Sequence, residues 1–441
     1  MSPHAVMQDE IVQAIQLENF GVMGNAFLPA KAPLSRLRSP CYSPWEALIQ
    51  DLPALLKART LRSQVDRLEV LGTEHLVLEE EWRRAYVILA FLSHAYIWGG
   101  ERPAEVLPPS ISVPFLKASE HLELPPVATY AALNLWNFTS SSPDFTDLDS
   151  LRSLNTFTGT QDESWFYCVS VAMEAQAASI IPVMVQALET VRIRGFSAIT
   201  YALDELSRCI CQIGGLLDRM SEKCDPNVFF HHIRPYLTGS KNMSAAGLPR
   251  GVFYDEGDGK GSWRQLRGGS NGQSSLIQFF DIVLGVEHTS AGNSRPEKDA
   301  KQDKGRQPET SFHEEVRGYM PGPHRRFLER VARMGSIRNL ALQPAADTPE
   351  EQQLHDAYTN ATKTLAEFRN KHLQIVTRYI VIPSTQQRHR PTREINLATA
   401  TFTAQSHQET QSTELTGTGG TALLPFLKQS RDETYRAGCA N

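Results

Sequence analysis

His372 is the residue in this chain best placed to do chemistry. It lies in LAEFRNKHLQIVTRYIVIP, residues 365–383, between Phe368 and Ile375. Leu354, Tyr358, Ala361, Leu365, Phe368, Ile375 and Tyr379 recur at steps of three and four, the spacing of one buried helix face. His372 falls on that stripe, so its ring nitrogens need partners. A neutral imidazole can bind a metal; a core histidine bonded to a carbonyl is the commoner arrangement. Arg369 flanks the same face three residues earlier. Asp281, embedded in QFFDIVLG, also needs a partner, and Arg369 is a candidate, with separate ion pairs elsewhere as the ordinary alternative. In FFHHIRPY, 229–236, Arg234 stands beside aromatics, a combination that suits a planar ligand bearing a carboxylate. An ion-paired surface arginine is the plainer reading. His231 and His232 are neighbours, and on a helix they point about 100° apart, so they do not easily share one metal.

Two glycine-rich stretches could bring backbone close to a ligand. GGSNGQSS, 268–275, opens a helix, but it lacks the GK[ST] ending of a phosphate loop and no obvious strand pattern precedes it. GTGGT, 417–421, precedes the apolar start ALLPFLK. A capped turn and a flexible linker are the plain readings of the two.

The elements that must position these residues are helical. The 441 residues suffice for a large core and predict two domains or one large one. Helices are expected over 82–100, 164–191, 200–224, 274–288, 324–334 and through the His372 stretch, with a short one after Pro125 and Pro126 carrying Tyr130. Alternating strand patterns are scarce, so the fold class is all-α. Residues 102–115 read as an extended, proline-rich connector. The polar run 139–150 reads as a linker. Residues 287–310 and 384–416 read as flexible, because they have too little apolar surface to offset their ordering entropy. A net charge of -5 with no basic block argues against nucleic acid. Six scattered cysteines fit a reduced intracellular protein. Residues 1–18 lack a secretory pattern and no apolar run reaches ~18 residues, so no membrane association is expected.

Seven segments resemble one family, indoleamine 2,3-dioxygenase: HAYIWGG (94–100), LELPPVATYA (122–131), FFHHIRPYLTG (229–239), GGSNGQSSLIQFFDIVLG (268–285), YMPGPHRRFL (319–328), RNKHLQIVTRYIVIP (369–383) and GTGGT. They keep the family's order over nearly the whole chain. The resemblance implies a haem b whose iron is held by His372. It implies that Arg369 bonds a haem propionate with Asp281 bracing it, and that Gly269 and Ser270 lie in the loop over the haem edge. Arg234 would pair with the substrate carboxylate and Phe229 would pack on the indole. In FYCVS, Phe166 and Ser170 would lie above the iron. Tyr130 would line the indole pocket, and Thr421 would meet the substrate amino group.

The family reading implies a large helical haem-binding domain, 151–441, with a smaller, mainly helical N-terminal domain, 1–150, covering the distal side. The expected reaction inserts both atoms of O2 across the indole C2=C3 bond of L-tryptophan. The product is N-formyl-L-kynurenine, the first step of the kynurenine pathway toward NAD, in a cytoplasmic monomer. A dioxygenase of another indole and a non-catalytic haem or O2 binder on the same scaffold are the rival expectations. Leu133, three residues after Tyr130, stands where some members carry cysteine, and AALN replaces a more polar segment. The polar insert at 287–310 resembles fungal members.

Overall fold

The computed structural model describes residues 15–288, 312–343, 348–387, 418 and 423–439. Among these, helices carry the structure and the strands are two to six residues long, in keeping with an all-α class. Helix α1, Glu79–Trp98, opens on three glutamates whose charge suits a helix N-terminus. Helix α2, Pro109–His121, begins inside the stretch expected to be extended. Pro109 sits in its first turn, where a missing N–H costs nothing.

The apolar run 164–191 is two helices, not one: α3, Gln161–Gln176, and α4, Ile180–Glu189, bent by 40°. Pro182 explains the break. Inside a continuous helix it would remove a backbone bond and clash with the preceding turn, whereas the first turn of a new helix accepts it. Helix α5, Phe196–Asp218, starts earlier than expected and ends earlier, with Met220–Lys223 as a separate turn. Helix α6, Ser275–Val283, is capped by the Ser274 hydroxyl, which accepts the Ile277 amide. It stops short of residue 288 because Gly285, at φ +62°, turns left-handed. Helix α7, Gly322–Ala332, matches expectation to within two residues. Helix α8, Pro349–Val376, starts in a capping box made by Thr348 and Glu351. The C-terminal helix α9, Leu423–Ala437, packs on α8, as does α5.

Five short strands complete the fold. Strand β1, Val106–Leu107, pairs in parallel with β4, Val252–Gly257, which pairs with β5, Lys260–Arg264. The β4–β5 turn places Asp258 and Gly259 at φ +53° and +72°, the two left-handed residues of a tight hairpin. Strands β2, Phe138–Ser140, and β3, Leu151–Ser153, form an antiparallel ribbon. The run expected as a linker is therefore the loop of that ribbon.

Two hydrophobic clusters form. The first gathers Trp45, Tyr86, Phe91, Phe115 and Tyr167, and runs through Phe145, Leu148, Leu151 and Phe157. The second gathers Phe27, Leu203, Phe279, Phe327, Tyr358 and Leu365. Met173 and Ile375 touch both. Leu354, Tyr358, Ala361 and Leu365 are fully buried, so the stripe read from sequence is a core face. The Tyr358 hydroxyl ties α8 to Leu284 O at 2.7 Å and to Ala437 O at 3.1 Å. No single described helix is long and apolar enough to cross a membrane.

Candidate active site

One cavity opens where the two clusters meet. Its empty space is about 1800 Å³, counted out to the open mouth. Three π-helical stretches are described, Ala131–Leu135, Phe229–Ile233 and Thr377–Val381, and each contributes to its wall. Such wide turns re-aim side chains and recur at functional sites.

On one side α3 presents Phe166 and Ser170, four residues apart and so on one face. The Phe166 ring lies 4.7 Å from Phe229, and Phe229 lies 5.8 Å from Tyr379. Arg234 enters from the segment that carries Phe229 and is fully buried. Burial pushes its guanidinium down to about 10, so it stays charged near neutral pH. A buried cation in a largely apolar wall is suited to a carboxylate.

Tyr130 closes the wall, its amide donating to Gln273 Oε1 at 2.9 Å. Gly269 and Ser270 form the rim. A Cβ at Gly269 would lie 2.4 Å from Leu133 Cδ1 and 3.0 Å from Ala128 O, so Leu133 would have to shift. Ser270 caps a short turn by accepting the Gly272 amide. Thr418, from the second glycine-rich stretch, donates its hydroxyl to Gly269 O at 2.8 Å and accepts the Gly268 amide at 3.3 Å. The two glycine-rich loops therefore touch. Thr421 lies outside the described residues, as do 289–311 and 388–417.

His372 and Arg369 of α8 also line the cavity. His372 is half-buried and makes no hydrogen bond among the described residues. Burial, and then the Arg369 charge, push its imidazole down to about 4, so the ring is neutral near pH 7. His94 shows the contrast. Its Nδ1–H donates to Tyr236 O at 2.7 Å and its Nε2 accepts the Ala128 amide at 3.1 Å, so it is a satisfied core histidine.

Arg369 does meet Asp281, its Nη2 donating at 2.6 and 2.8 Å. Its Nη1 donates to Ser430 O and the Thr434 hydroxyl. Asp281 borders a neighbouring, smaller cavity rather than the main one. His288 bridges Asp281 at 3.1 Å and Glu433 at 2.7 Å, and its ring stacks on His313 at 3.7 Å. Burial opposes ionisation of Asp281, but the Arg369 charge and the His288 bond outweigh it and hold the carboxyl well below the usual range.

Asp281→Asn removes the charge that balances a buried guanidinium, so a stability loss of about 3 kcal/mol is expected at pH 7. A carboxyl lowered in the folded state stabilises above its unfolded pKa of about 4, and that gain fades on acidification. Denaturant unfolding should show the gap between the two proteins shrinking below pH 4. A gap that widens there would contradict the pairing.

Pattern reading overlooked Glu174, His288, His313, Thr418 and Glu433. Glu174 carried a usable signal, a carboxylate alone in the apolar run SVAMEAQA, the logic that picked out Asp281. It borders the main cavity and is 1% exposed.

Comparison with known proteins identifies the family. The family model for indoleamine 2,3-dioxygenase covers residues 16–437. An indoleamine 2,3-dioxygenase of Saccharomyces cerevisiae is 39% identical over 425 residues, 93% of this chain and 90% of that protein. Indoleamine 2,3-dioxygenase nanC of Aspergillus nanangensis is 38% identical over 421 residues, 94% of each chain. A 6-hydroxytryptophan 2,3-dioxygenase, fscD of Fusarium equiseti, is 35% identical over 425 residues, 96% of this chain and 97% of that one. The chain belongs to the indoleamine 2,3-dioxygenase family, haem-dependent oxidoreductases that act on indole substrates with dioxygen.

Proposed function

We propose that the chain holds one haem b through His372 and inserts both atoms of O2 across the C2=C3 bond of L-tryptophan, giving N-formyl-L-kynurenine. The observation that carries this reading is a histidine ring, with no hydrogen bond among the described residues, lining the cavity that also holds a buried arginine and an aromatic wall. The residues fit the group: an available imidazole, a cation braced by Asp281, and apolar walls for a flat macrocycle.

Bound haem would supply the binding and activation of dioxygen. His372 would hold it through a neutral nitrogen, without the electron push by which a thiolate favours O–O cleavage. Arg369, braced by Asp281, would hold a propionate, and the backbone at Gly269 and Ser270 would border the macrocycle's edge. Arg234 takes the substrate carboxylate and Thr421 its amino group. Phe229, Phe166 and Tyr130 hold the indole and exclude water, so the gain is largely positional. Ser170 tunes polarity, and no protein base is required.

In this reading 1–150 would cover the distal side and 151–441 would form the haem-binding domain, the β2–β3 ribbon tying the two parts together across that boundary. The working form is a cytoplasmic monomer that opens the kynurenine pathway toward NAD. One relative is named for a 6-hydroxytryptophan, which favours a second reading with another indole amino acid as substrate. The deciding experiment reduces haem-loaded protein without air, then adds L-tryptophan and O2. Growth of the formylkynurenine absorbance is expected; none with tryptophan, but turnover of another indole, would move the assignment to the second reading.

A further inference from the structure

Arg369 is held at more points than a simple ion pair provides. Its Nη2 donates to Asp281 of α6, and its Nη1 donates to Ser430 O and the Thr434 hydroxyl of α9. Glu433, beside Thr434 on α9, meets His288 Nδ1 at 2.7 Å, and His288 Nε2 meets Asp281 Oδ2 at 3.1 Å. The contacts close into a circuit that runs from Arg369 through Asp281, His288 and Glu433 and returns to Arg369 through α9. None of these four side chains is more than 10% exposed, so solvent screens them little. Both nitrogens of His288 face carboxylate oxygens, and an ionised carboxylate only accepts. A ring that serves both must carry both protons. Burial favours the neutral ring, but the bonds to Asp281 and Glu433 outweigh it and raise the imidazole above its ordinary value. With His288 protonated, two cations balance two carboxylates. With His288 neutral, the four groups carry an excess negative charge and one carboxylate loses its donor.

We propose that His288 is a positioning residue for the haem seat, whose second proton keeps the circuit neutral and α9 docked so that Arg369 can receive a propionate. This rests on the reading of Arg369 as the partner of that propionate. His288 touches no reacting atom; it acts through Asp281 and Glu433. Losing its second proton has two consequences of one sign. The excess negative charge opposes an anion beside Arg369. The carboxylate left facing a ring lone pair loosens α9, which carries the acceptors of Arg369 Nη1. The remaining charged or titratable neighbours are His313, Glu314 and Arg317 of the short helix Phe312–Arg317 and, along the chain, Glu287 with Arg338. His313 stacks on His288, and burial, then the His288 charge, push it down to about 3, so it does not titrate together with His288. Arg317 Nε donates to Gln278 Oε1 at 2.6 Å, and the exposed Glu287 lies 3.9 Å from Arg338.

Haem transfer from the ferric holoenzyme to excess apomyoglobin, followed through the Soret band from about pH 6 to about pH 9, reads the seat without turnover. A histidine raised in the haem-bound form holds it below the ordinary histidine pKa, and the hold is lost as pH rises through the raised value. The wild-type transfer rate should therefore climb by about tenfold across the range. In His288→Gln the amide donates to one carboxylate only and carries no charge, so transfer should be fast throughout and the step should vanish. In Glu433→Gln, His288 keeps a single carboxylate, and the step should move to lower pH. A plain packing role would change the rate by the same factor at every pH. A wild-type rate that is flat, or that falls as pH rises, overturns the proposal without any variant. A step that persists unchanged in His288→Gln overturns it as well. Arg369→Ala that transfers haem no faster than wild type would sink the propionate reading, and this proposal with it.

Discussion

Replacing His372 by alanine is expected to abolish the Soret band of the purified protein, and turnover with it. The chain offers thirteen histidines, and the argument for this one is its surroundings. His94 is spoken for at both nitrogens. His324 Nδ1 meets the Ser275 hydroxyl at 3.2 Å, and its ring packs on Phe27. His288 spans two carboxylates. His372 has no such bond among the described residues and faces open volume. A ring that lines a cavity without a hydrogen bond among the described residues is available to a ligand, which the engaged histidines are not. Activity should drop to background. Far-ultraviolet circular dichroism should change little, because alanine is the better helix former. Retention of haem with an unaltered spectrum would remove His372 from the iron.

Arg234→Ala is expected to lower kcat/KM for L-tryptophan by about 30-fold to several thousand-fold, mostly through KM. The basis is a loss of roughly 2–5 kcal/mol when one partner of a buried charge pair is truncated. Arg234 is fully buried, so solvent cannot replace it. Its planar fork matters as well as its charge, and Arg234→Lys should recover only part of the loss. Tryptamine, which lacks the carboxylate, supplies the control. The two proteins should differ far less on tryptamine than on tryptophan. An equal loss on both substrates would mean that Arg234 shapes the wall instead of reading the carboxylate.

How much of this was readable in advance depends on the range of the interaction. The α8 face was legible because helical periodicity is local, and Leu354, Tyr358, Ala361 and Leu365 are buried as their spacing requires. The partnership of Asp281 with Arg369, 88 residues apart, was legible for another reason. An acid inside an apolar helix must find a cation, and few were placed to serve. The break at Pro182 and the Asp258 and Gly259 turn were written in the sequence but outvoted by run length and helical composition. The contact of Thr418 with Gly269 spans 149 residues and leaves no local pattern. Neither do the π turns, which differ from ordinary helix by one residue's winding and not by residue type. Thr421 lies outside the described residues and stays a proposal.

The wide turn at Phe229–Ile233 makes chain length itself a functional variable. A π turn holds one residue more than the α turn it replaces, so excising a single residue there would let the coil return to its usual pitch with the flanking segments close to their present register. Adding one residue more has no such outlet, because each residue advances an α-helix by about 100°. The guanidinium of Arg234 would then swing out of the cavity although its codon was untouched.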